Sequence, residues 1–271
     1  MPRRAFTLIE LLVVVAIIGL LSTVATVAMA NAREKSRIGA SLAFDAQLRR
    51  TLGPALAAEY LFDEGAGLTA YDSSGNGNTG TMVGAPTFNT DTYGPDSKYS
   101  MLFGGGKYVS AARSMGIGDG NFTIALWIKT TNAGGQMYVV SNTGSGNGYR
   151  FGLGGGRTTF LLGNTPGVYT EAVCGSQMVI NDGKWHHIAG VFSRSSLTYT
   201  CYADGHSLQT IALPLAYAGM NDAAPLIGTT ACCTVFTGQL DNVRIYTQDL
   251  TLADINSIYR EEAWRYLADN L

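Results

Sequence analysis

The feature that most constrains this chain is a long apolar run close to its N-terminus. Phe6 to Ala30 comprises 25 residues with a single charged side chain, Glu10, and no proline. A helix of about 20 apolar residues crosses the hydrocarbon core of a bilayer, so this run is long enough to span a membrane. Lipid offers the backbone no hydrogen-bond partners, which favours a helix even though many of these residues are β-branched.

A helical pattern continues beyond the apolar run, through residues 31–52. Apolar side chains recur there at helix-compatible spacings, at Ile38, Leu42, Leu48 and Leu52. Gly53-Pro54 follows, and a proline disfavours helical backbone in the residue before it. We therefore expect one helix from Phe6 to Leu52, roughly 70 Å long at 1.5 Å per residue.

The start of the apolar run carries a motif. Residues 3–14, RRAFTLIELLVV, resemble the class III signal of type IV pilins and type II secretion pseudopilins. In that family a prepilin peptidase removes a short basic leader before a Phe and methylates the new N-terminus. By position, the resemblance implies a leader at residues 1–5, cleavage between Ala5 and Phe6, and N-methylation of Phe6. The family nearly always has Gly before the cut, but Ala5 is the next smallest side chain, so we expect processing here.

Glu10 would become the fifth residue of the mature chain. A carboxylate inside a membrane-spanning stretch is costly and normally has a partner. The α-amino group of Phe6 on a neighbouring pilin or pseudopilin subunit is a plausible one, so we predict that Glu10 serves filament assembly. The alternative is that Glu10 lies near the membrane interface and stays hydrated.

An ordinary secretory signal is a second interpretation of the same segment. Arg3-Arg4, the apolar run and the small residues of Ala28-Met29-Ala30 follow the order of such a signal and its cleavage site. The apolar part of a secretory signal is usually about 7–15 residues, shorter than this run. Cleavage after Ala30 would release a lectin-like binding protein without a membrane anchor.

The distribution of glycine divides the chain into two regions of different composition. Of 34 glycines, only Gly19, Gly39 and Gly53 lie within the first 53 residues. A turn-rich region follows, in which apolar and polar residues alternate over short runs, as they do in half-buried strands. The clearest runs are Phe122–Lys129, Trp185–Phe192, Leu197–Gly205 and Gln239–Thr247. This pattern favours an antiparallel β-sandwich of jelly-roll type.

Five segments of this region, in order and spacing, resemble the laminin G-like branch of the concanavalin A-like lectin/glucanase superfamily. They are Ala58–Gly80, Phe122–Thr130, Asp182–Phe192, Tyr202–Gly205 and Phe236–Tyr259. The resemblance implies a two-sheet jelly roll, frequently with one structural calcium ion and with a role in adhesion or glycan binding.

The predicted fold class is therefore α+β. A long N-terminal transmembrane and amphipathic α-helix precedes an antiparallel β-sandwich jelly roll of laminin G-like type, which ends in a short C-terminal helix. Thr251 and Asp254 form a capping-box-like start for that helix, over residues 252–268. The predicted domains are a leader at 1–5, a pilin-type helix at 6–53 with its transmembrane part at 6–30, and a jelly-roll domain at 54–271.

The loop from Asp72 to Asn78 is rich in the oxygen ligands that suit calcium. Strand alternation places the side chain of Asp241 with Val243 and Ile245, facing inward, where a carboxylate needs a partner. A calcium ion held by Asp72, Asn78 and Asp241 would supply that partner, and so would backbone amides of the same loop. Both arrangements stay open.

Four cysteines, Cys174, Cys201, Cys232 and Cys233, lie in the region expected to be exported, where disulfides can form. A bond between the adjacent Cys232 and Cys233 is the strained option. We prefer a pair between Cys201 and one of them, which leaves Cys174 for the other. Free thiols remain an alternative.

Catalysis is not expected. Glucanases with this jelly roll use two or three carboxylates in an E-x-D-x-x-E pattern on one strand, which places an acid and a nucleophile on the same face. The chain has no such triple, and its adjacent Asp63 and Glu64 would point to opposite faces. A formal net charge of −2 gives no general attraction to nucleic acid.

Together these features predict a pilin-like or pseudopilin-like subunit that crosses the inner (cytoplasmic) membrane once and displays the sandwich outside the cytoplasm. The expected partners are prepilin peptidase, other pilin or pseudopilin subunits, the inner membrane, and a glycan or surface-protein ligand. A domain this bulky at every position would crowd a filament, which favours a minor subunit.

Overall fold

The computed structural model describes residues 8–94, 97–118, 120–142, 148–165, 168–175, 178–213, 223–230 and 235–268. The chain divides into two units, one that ends at Arg49 and one that begins at Arg50. The predicted leader at residues 1–5 lies outside the described residues, together with the cleavage-site residues Ala5 and Phe6 and with Cys232 and Cys233.

The N-terminal helix, α1, is continuous from Leu8 to Leu52 and confirms the predicted helix. Within it, Leu8–Arg33 is 26 residues long, contains an 18-residue window with a mean hydropathy of 2.7, and is by length and composition able to cross a membrane. The large apolar side chains of this segment are exposed all round the helix, a pattern typical of helices that are covered by lipid or by other helices. A single turn of 3₁₀ helix, Gly53–Ala55, follows α1, and its Pro54 cannot continue the helical hydrogen bonds.

The rest of the chain is built from short strands and a terminal helix, α2, at Leu252–Ala268. The described strands are β1 Leu56–Tyr60, β2 Thr69–Ala70, β3 Gly80–Val83, β4 Thr87–Asn89, β5 Ser100–Phe103, β6 Tyr108–Ala111, β7 Phe122–Lys129, β8 Gln136–Ser141, β9 Gly148–Gly154, β10 Arg157–Thr165, β11 Val168–Val173, β12 Trp185–Ser193, β13 Thr198–Ala203, β14 His206–Ala212, β15 Leu226–Ile227 and β16 Gly238–Tyr246.

These strands form two antiparallel sheets, which confirms the predicted β-sandwich. The first sheet has the order β14-β13-β12-β7-β16-β5-β4, and β1 also pairs with β16. The second has the order β11-β10-β9-β8-β15-β6-β3-β2. The first half of β16 pairs with β5 and its second half with β1, so the last strand of the sandwich holds the first one.

Strand β7 shows how the core forms. The side chains at alternate positions, Phe122, Ile124, Leu126 and Ile128, are all fully buried in the main core between the sheets. The ring of Phe122 lies 4.9 Å from that of Tyr149 and 5.3 Å from that of Phe192, measured between ring centroids. Aromatic side chains bury large apolar areas, so this cluster is a principal source of the stability of the sandwich.

The opposite face of β7 is buried as well, because α2 covers it. Trp127 stacks on Tyr93 at 4.7 Å and on Tyr259 of α2 at 5.9 Å, and together they form a second apolar cluster. The start of α2 has the predicted capping box: the amide of Thr251 donates to Asp254 Oδ2 at 2.9 Å, and the amide of Asp254 donates to Thr251 Oγ1 at 3.2 Å.

A buried ion pair joins β1 to β16. Arg244 Nε donates to Glu59 Oε1 at 2.8 Å, and the two residues lie opposite each other in the strand register. Glu59 is 1% exposed and Arg244 is 6% exposed. Each charge is removed from water, so each depends on the other for its stabilisation.

The preferred cysteine pairing was wrong. A disulfide joins Cys174, just after β11, to Cys201 of β13, with 6.5 Å between the Cα atoms. It therefore connects the second sheet to the first. This contact depends on how the two sheets stack, which the spacing of cysteines along the chain does not encode.

Removing one partner of the ion pair should destabilise the sandwich strongly. We expect Glu59→Leu to lower the free energy of unfolding by about 3–5 kcal/mol, because Arg244 stays buried without its counter-charge. The double variant Glu59→Leu/Arg244→Met should lose much less, because neither charge remains. Denaturant unfolding of the full chain in detergent micelles measures both, and equal losses in the two variants would contradict the role of the pair.

The disulfide should also contribute to stability. Its cysteines are 27 residues apart in sequence. Cross-linking a loop of that length stabilises by about 3–4 kcal/mol in the chain-entropy model. We expect a loss of this size in the Cys174→Ala/Cys201→Ala variant. Peptide mapping of the non-reduced protein checks the connectivity, and a peptide that links Cys201 to Cys232 or Cys233 would refute it.

Candidate functional site

The segment Asp72–Asn78, called here the Asp72 loop, connects β2 to β3. Its polar side chains at alternate positions, Asp72, Ser74, Asn76 and Asn78, all bond to the backbone of β1 or of the loop itself. Gly75 and Gly77 stand between them with φ angles of 87° and 72°, a backbone region that favours glycine. The sequence pattern of the loop therefore serves to attach it to the first strand.

The Asp72 carboxylate shapes the loop by accepting backbone amides. Its Oδ1 accepts from the amides of Glu59 at 3.0 Å and Ser74 at 2.9 Å, and its Oδ2 accepts from that of Asn78 at 2.8 Å. Partial burial opposes ionisation, but hydrogen bonds from Ser74, Glu59 and Asn78 outweigh it and hold the pKa of Asp72 below its ordinary value. The loop amides that the sequence offered as partners for Asp241 bond Asp72 instead.

The other polar side chains of the loop donate to the carbonyl groups at the start of β1. Asn76 Nδ2 donates to Leu56 O at 2.6 Å, and Asn78 Nδ2 donates to Ala57 O at 2.7 Å. In return, the buried hydroxyl of Tyr60 donates to Asn78 O. The loop and the strand thus form one hydrogen-bonded wall.

A pocket of about 300 Å³ opens to solvent beside this wall. Its size is at the lower end of the range typical of small-molecule sites. Three stretches line it, namely the start of the sandwich, the Asp72 loop and the segment after β6, together with one residue after β16. The lining residues are Pro54, Ala55, Leu56, Ala57, Asn76, Asn78, Arg113, Ser114, Met115 and Thr247.

The polar side chains of the pocket lining belong to Asn76, Asn78, Arg113, Ser114 and Thr247. Arg113 is exposed, and its Nη2 donates to Gly77 O at 3.0 Å. Asn78 is only 5% exposed, and its Oδ1 has no hydrogen-bond partner among the described residues. The lining therefore offers one exposed cation, whereas Asn78 Oδ1 lies beneath the surface. Sequence analysis pointed to Asn78 because it lies in the oxygen-rich loop, whereas no motif pointed to Arg113.

Asp241 is buried as expected, but the predicted face of the sheet was wrong. The register of β16 against β7 shifts between Asp241 and Arg244, and Asn242 has a φ of 45°, so a bulge interrupts the alternation. Asp241 consequently lies opposite Trp127, on the outer face of the sheet, while Val243 faces the main core. It is 1% exposed and accepts from Ser97 Oγ at 2.7 Å.

Calcium at the Asp72 loop remains a prediction. In the part of the chain that the structure describes, no group of three or more His, Cys, Asp or Glu side chains is arranged to hold a metal ion. The Asp72 carboxylate accepts hydrogen bonds from amides of β1 and of the loop. The Asp241 carboxylate accepts one from Ser97.

Two histidines at the start of β12 have structural surroundings. His186 Nδ1 lies 2.8 Å from Asp204 Oδ2 and its Nε2 lies 3.1 Å from Asp182 Oδ1, so it bridges two turns. The hydrogen bond to Asp204 raises the pKa of His186, although partial burial opposes the shift. Burial lowers the pKa of His187 to about 3. Strand alternation puts neighbouring residues on opposite faces but gives no sign of this bridge.

Glu10 lies in the first turn of α1 with an exposed side chain. A carboxylate near a helix N-terminus is also favoured by the helix dipole. Its predicted partner, the α-amino group of Phe6 on another subunit, belongs to an assembled filament, so its role in assembly stays a prediction.

The Asp72→Asn variant should loosen the pocket wall. An amide group accepts the three backbone N–H groups less well than a carboxylate does, and we expect a loss of about 1–2 kcal/mol, since the site is partly solvated. Because the folded pKa is lowered, the contribution of Asp72 is complete above about pH 4 and is lost as the pH falls through the lowered pKa.

Thermal unfolding of the full chain and of Asp72→Asn across pH 2–7 tests this expectation. The neighbouring Ser73→Ala serves as the control, because Ser73 is exposed and joins the network through its backbone amide alone. A difference between Asp72→Asn and the unmodified chain that does not depend on pH would refute the assigned role.

Solved structures similar to this chain include several binding domains. Domain 4 of AbnA, an extracellular arabinanase from Geobacillus stearothermophilus in complex with arabinotriose, matches with a TM-score of 0.61 and 18% identity, over 76% of this chain and 98% of that one. The binding domain of botulinum neurotoxin DC in complex with rat synaptotagmin II matches with a TM-score of 0.61 and 14% identity, over 78% of this chain. The match covers 52% of the neurotoxin domain. At these identities the likeness shows the fold alone.

Sequence comparison identifies both parts of the chain. None of the curated proteins matches it. The prokaryotic N-terminal methylation motif matches residues 1–26. The pattern of the concanavalin A-like lectin/glucanases superfamily matches residues 103–256, which is more than half of the chain. The chain therefore belongs to the concanavalin A-like lectin/glucanases superfamily.

Proposed function

We propose that this chain is a pilin-like or pseudopilin-like subunit of a type IV pilus or type II secretion filament, with a ligand-binding sandwich held outside the cytoplasmic membrane. The observation that carries the proposal is the N-terminal methylation motif over residues 1–26 on the helix Leu8–Leu52, in one chain with the sandwich. The motif implies a prepilin peptidase as processing partner, and Leu8–Arg33 is long and apolar enough to serve as the membrane span of such a subunit.

The sandwich would act as the binding part of the subunit. Similar folds occur in a domain solved in complex with arabinotriose and in one solved in complex with synaptotagmin II, which are a saccharide and a protein ligand. The pocket beside the Asp72 loop gives this chain a place for a small ligand. A role in adhesion through a glycan or a surface protein follows from this combination, and the size of the domain favours a minor subunit.

A secreted lectin-like protein is the second candidate, because Ala28-Met29-Ala30 fits an ordinary signal peptidase site. It requires the chain to be cut within α1 and released. The two candidates therefore differ in the first residue of the mature protein.

Protein purified from its native membrane should begin at methylated Phe6, as determined by intact mass and N-terminal sequencing. A start near Asn31 would replace the proposal with the secreted alternative, and an uncut leader would refute processing. The Ala5→Gly variant, which restores the usual residue before the cut, should have the same mature N-terminus.

Glu10→Gln should be processed normally but should enter filaments less efficiently, because it lacks the charge that would pair with a neighbouring α-amino group. Sheared filaments analysed by immunoblot measure incorporation, with Glu34→Gln, which lies beyond the predicted span, as the charge-matched control. Equal incorporation of both variants would remove the assembly role of Glu10.

A further inference from the structure

The side chain of His186 lies between two carboxylates that come from different turns. Its Nδ1 is 2.8 Å from Asp204 Oδ2, in the turn between β13 and β14. Its Nε2 is 3.1 Å from Asp182 Oδ1, in the turn just before β12. Only 11% of the His186 side chain is exposed, against 22% for Asp204 and 36% for Asp182. The ring therefore joins two surface turns, and each of its nitrogens faces an acceptor.

The number of protons on this ring decides whether both contacts are attractive. A protonated imidazole donates from both nitrogens, whereas a neutral one donates from one nitrogen and carries a lone pair on the other. A lone pair that faces a carboxylate oxygen is repelled by it. Uptake of one proton from solvent by His186 therefore converts one hydrogen bond and one repulsive contact into two charge-assisted hydrogen bonds.

Both carboxylates are held in place independently of the ring. Asp204 Oδ1 accepts from the amide of His187 at 2.9 Å, and the amide of Asp204 donates to His187 O at 2.8 Å. Asp182 Oδ1 accepts from the amide of Lys184 at 2.8 Å. Either carboxylate would have to give up a backbone hydrogen bond to turn away from His186. The two acceptors therefore stay beside the ring in both of its protonation states.

The other charged and titratable groups of the two turns have little influence on the ring. Lys184 Nζ lies 3.6 Å from Asp182 Oδ2, and its side chain is 80% exposed, so solvent screens its charge. His206 is exposed, and its Nδ1 lies 2.8 Å from the backbone carbonyl oxygen of Asp204. Among the described residues of these turns, the carboxylates of Asp182 and Asp204 are the groups that face His186.

The neighbouring elements present uncharged side chains. In the register of β7 against β12, His186 is paired with the apolar Ile128. Burial lowers the pKa of His187 to about 3, so this ring is neutral. Tyr259 of α2 packs against His187 at 5.8 Å between ring centroids, and burial raises the pKa of its hydroxyl group, which stays protonated. None of these groups competes with the two carboxylates for a charged His186.

We propose that His186 is a proton-dependent clasp, which holds the Asp182 turn to the β13–β14 turn when its ring is protonated and releases the Asp182 turn when the ring is neutral. The remaining proton of the neutral ring stays on Nδ1, because the contact with Asp204 is the shorter one. The lone pair then faces Asp182. The inference goes beyond the proposed function, since it requires only the folded sandwich.

The clasp lies at one particular end of the sandwich. Leu56, where the chain enters the first sheet, pairs with Tyr246, and Tyr246 pairs with Thr123 at the start of β7. His186 pairs with Ile128 near the end of β7. The proton would therefore control how firmly the turns are held at the end of the sandwich opposite to the entry of the chain.

The direction of the pH dependence follows from the same contacts. The hydrogen bond to Asp204 raises the pKa of His186 against the opposing effect of partial burial, and Asp182 adds to the rise. Because the folded pKa is raised, the stabilisation is complete below about pH 6.5, the ordinary value of an unfolded histidine. It is lost as the pH rises through the raised pKa.

NMR titration of the full chain in detergent micelles, with labelled histidine, tests the clasp directly. We expect the midpoint of His186 to lie above about 6.5 and to fall in the Asp182→Asn variant, which removes one of the two carboxylates. The variants His186→Gln and His206→Gln assign the histidine signals.

Thermal unfolding from pH 5.5 to pH 8.5 measures the effect on stability. We expect His186→Gln to lower the melting temperature by about 2–4 °C more at pH 5.5 than at pH 8.5, as a modest local stabilisation does in a domain of this size. Asp182→Asn, which keeps the ring, should reduce the same pH dependence and tests the clasp even if His186→Gln fails to fold. His206→Gln is the matched control, because its ring contacts a backbone carbonyl group instead of a carboxylate.

Three outcomes would overturn the inference. A midpoint of His186 at or below about 6.5 would mean that the bridge is made by a neutral ring. A loss of melting temperature in His186→Gln that is the same at both pH values would leave a bridge without a proton switch. An equal pH-dependent change in His206→Gln would attribute the effect to general surface charge.

Discussion

The ion pair between Glu59 and Arg244 ties the first strand of the sandwich to the last one. Both charges are almost fully shielded from water, so each is stabilised by the other, and the pair favours the observed register of β1 against β16. That register sets the positions of the carbonyl groups of Leu56 and Ala57, to which the Asp72 loop is bonded. The pocket wall therefore takes its geometry from a contact that lies outside the pocket.

Features that depend on neighbouring residues could be predicted from the sequence. The helix α1 required only an apolar run and a proline after it, and it ends at Leu52 as expected. Strand β7 has the predicted limits, Phe122–Lys129, because the pleat assigns each residue to a face. The capping box at Thr251 is likewise a local hydrogen-bond pattern.

Features that depend on residues distant in the sequence could not be predicted from it. The bulge at Asn242 reverses the face of Asp241, and the apolar alternation around it gives no sign of the extra residue. Cys201 bonds to Cys174 because two sheets stack there. An oxygen-rich loop has the same composition whether it faces a cation or a strand backbone. The hydrogen bond from the Glu59 amide to Asp72 could therefore be identified only in the structure, where β1 lies beside the loop. Arg113 lies in the pocket lining because the segment after β6 comes beside the Asp72 loop, and this too depends on residues distant in the sequence.

The short link between helix and sandwich has a mechanical consequence. Only Gly53–Ala55 separate α1 from β1, so tension along the helix of an anchored subunit reaches β1 before any other strand. There the load is shared by the ladder to β16, the Glu59–Arg244 pair and the side chains of the Asp72 loop. Leu56 and Ala57 of that strand line the pocket, so in the proposed anchored subunit the pocket wall lies in the path of the force.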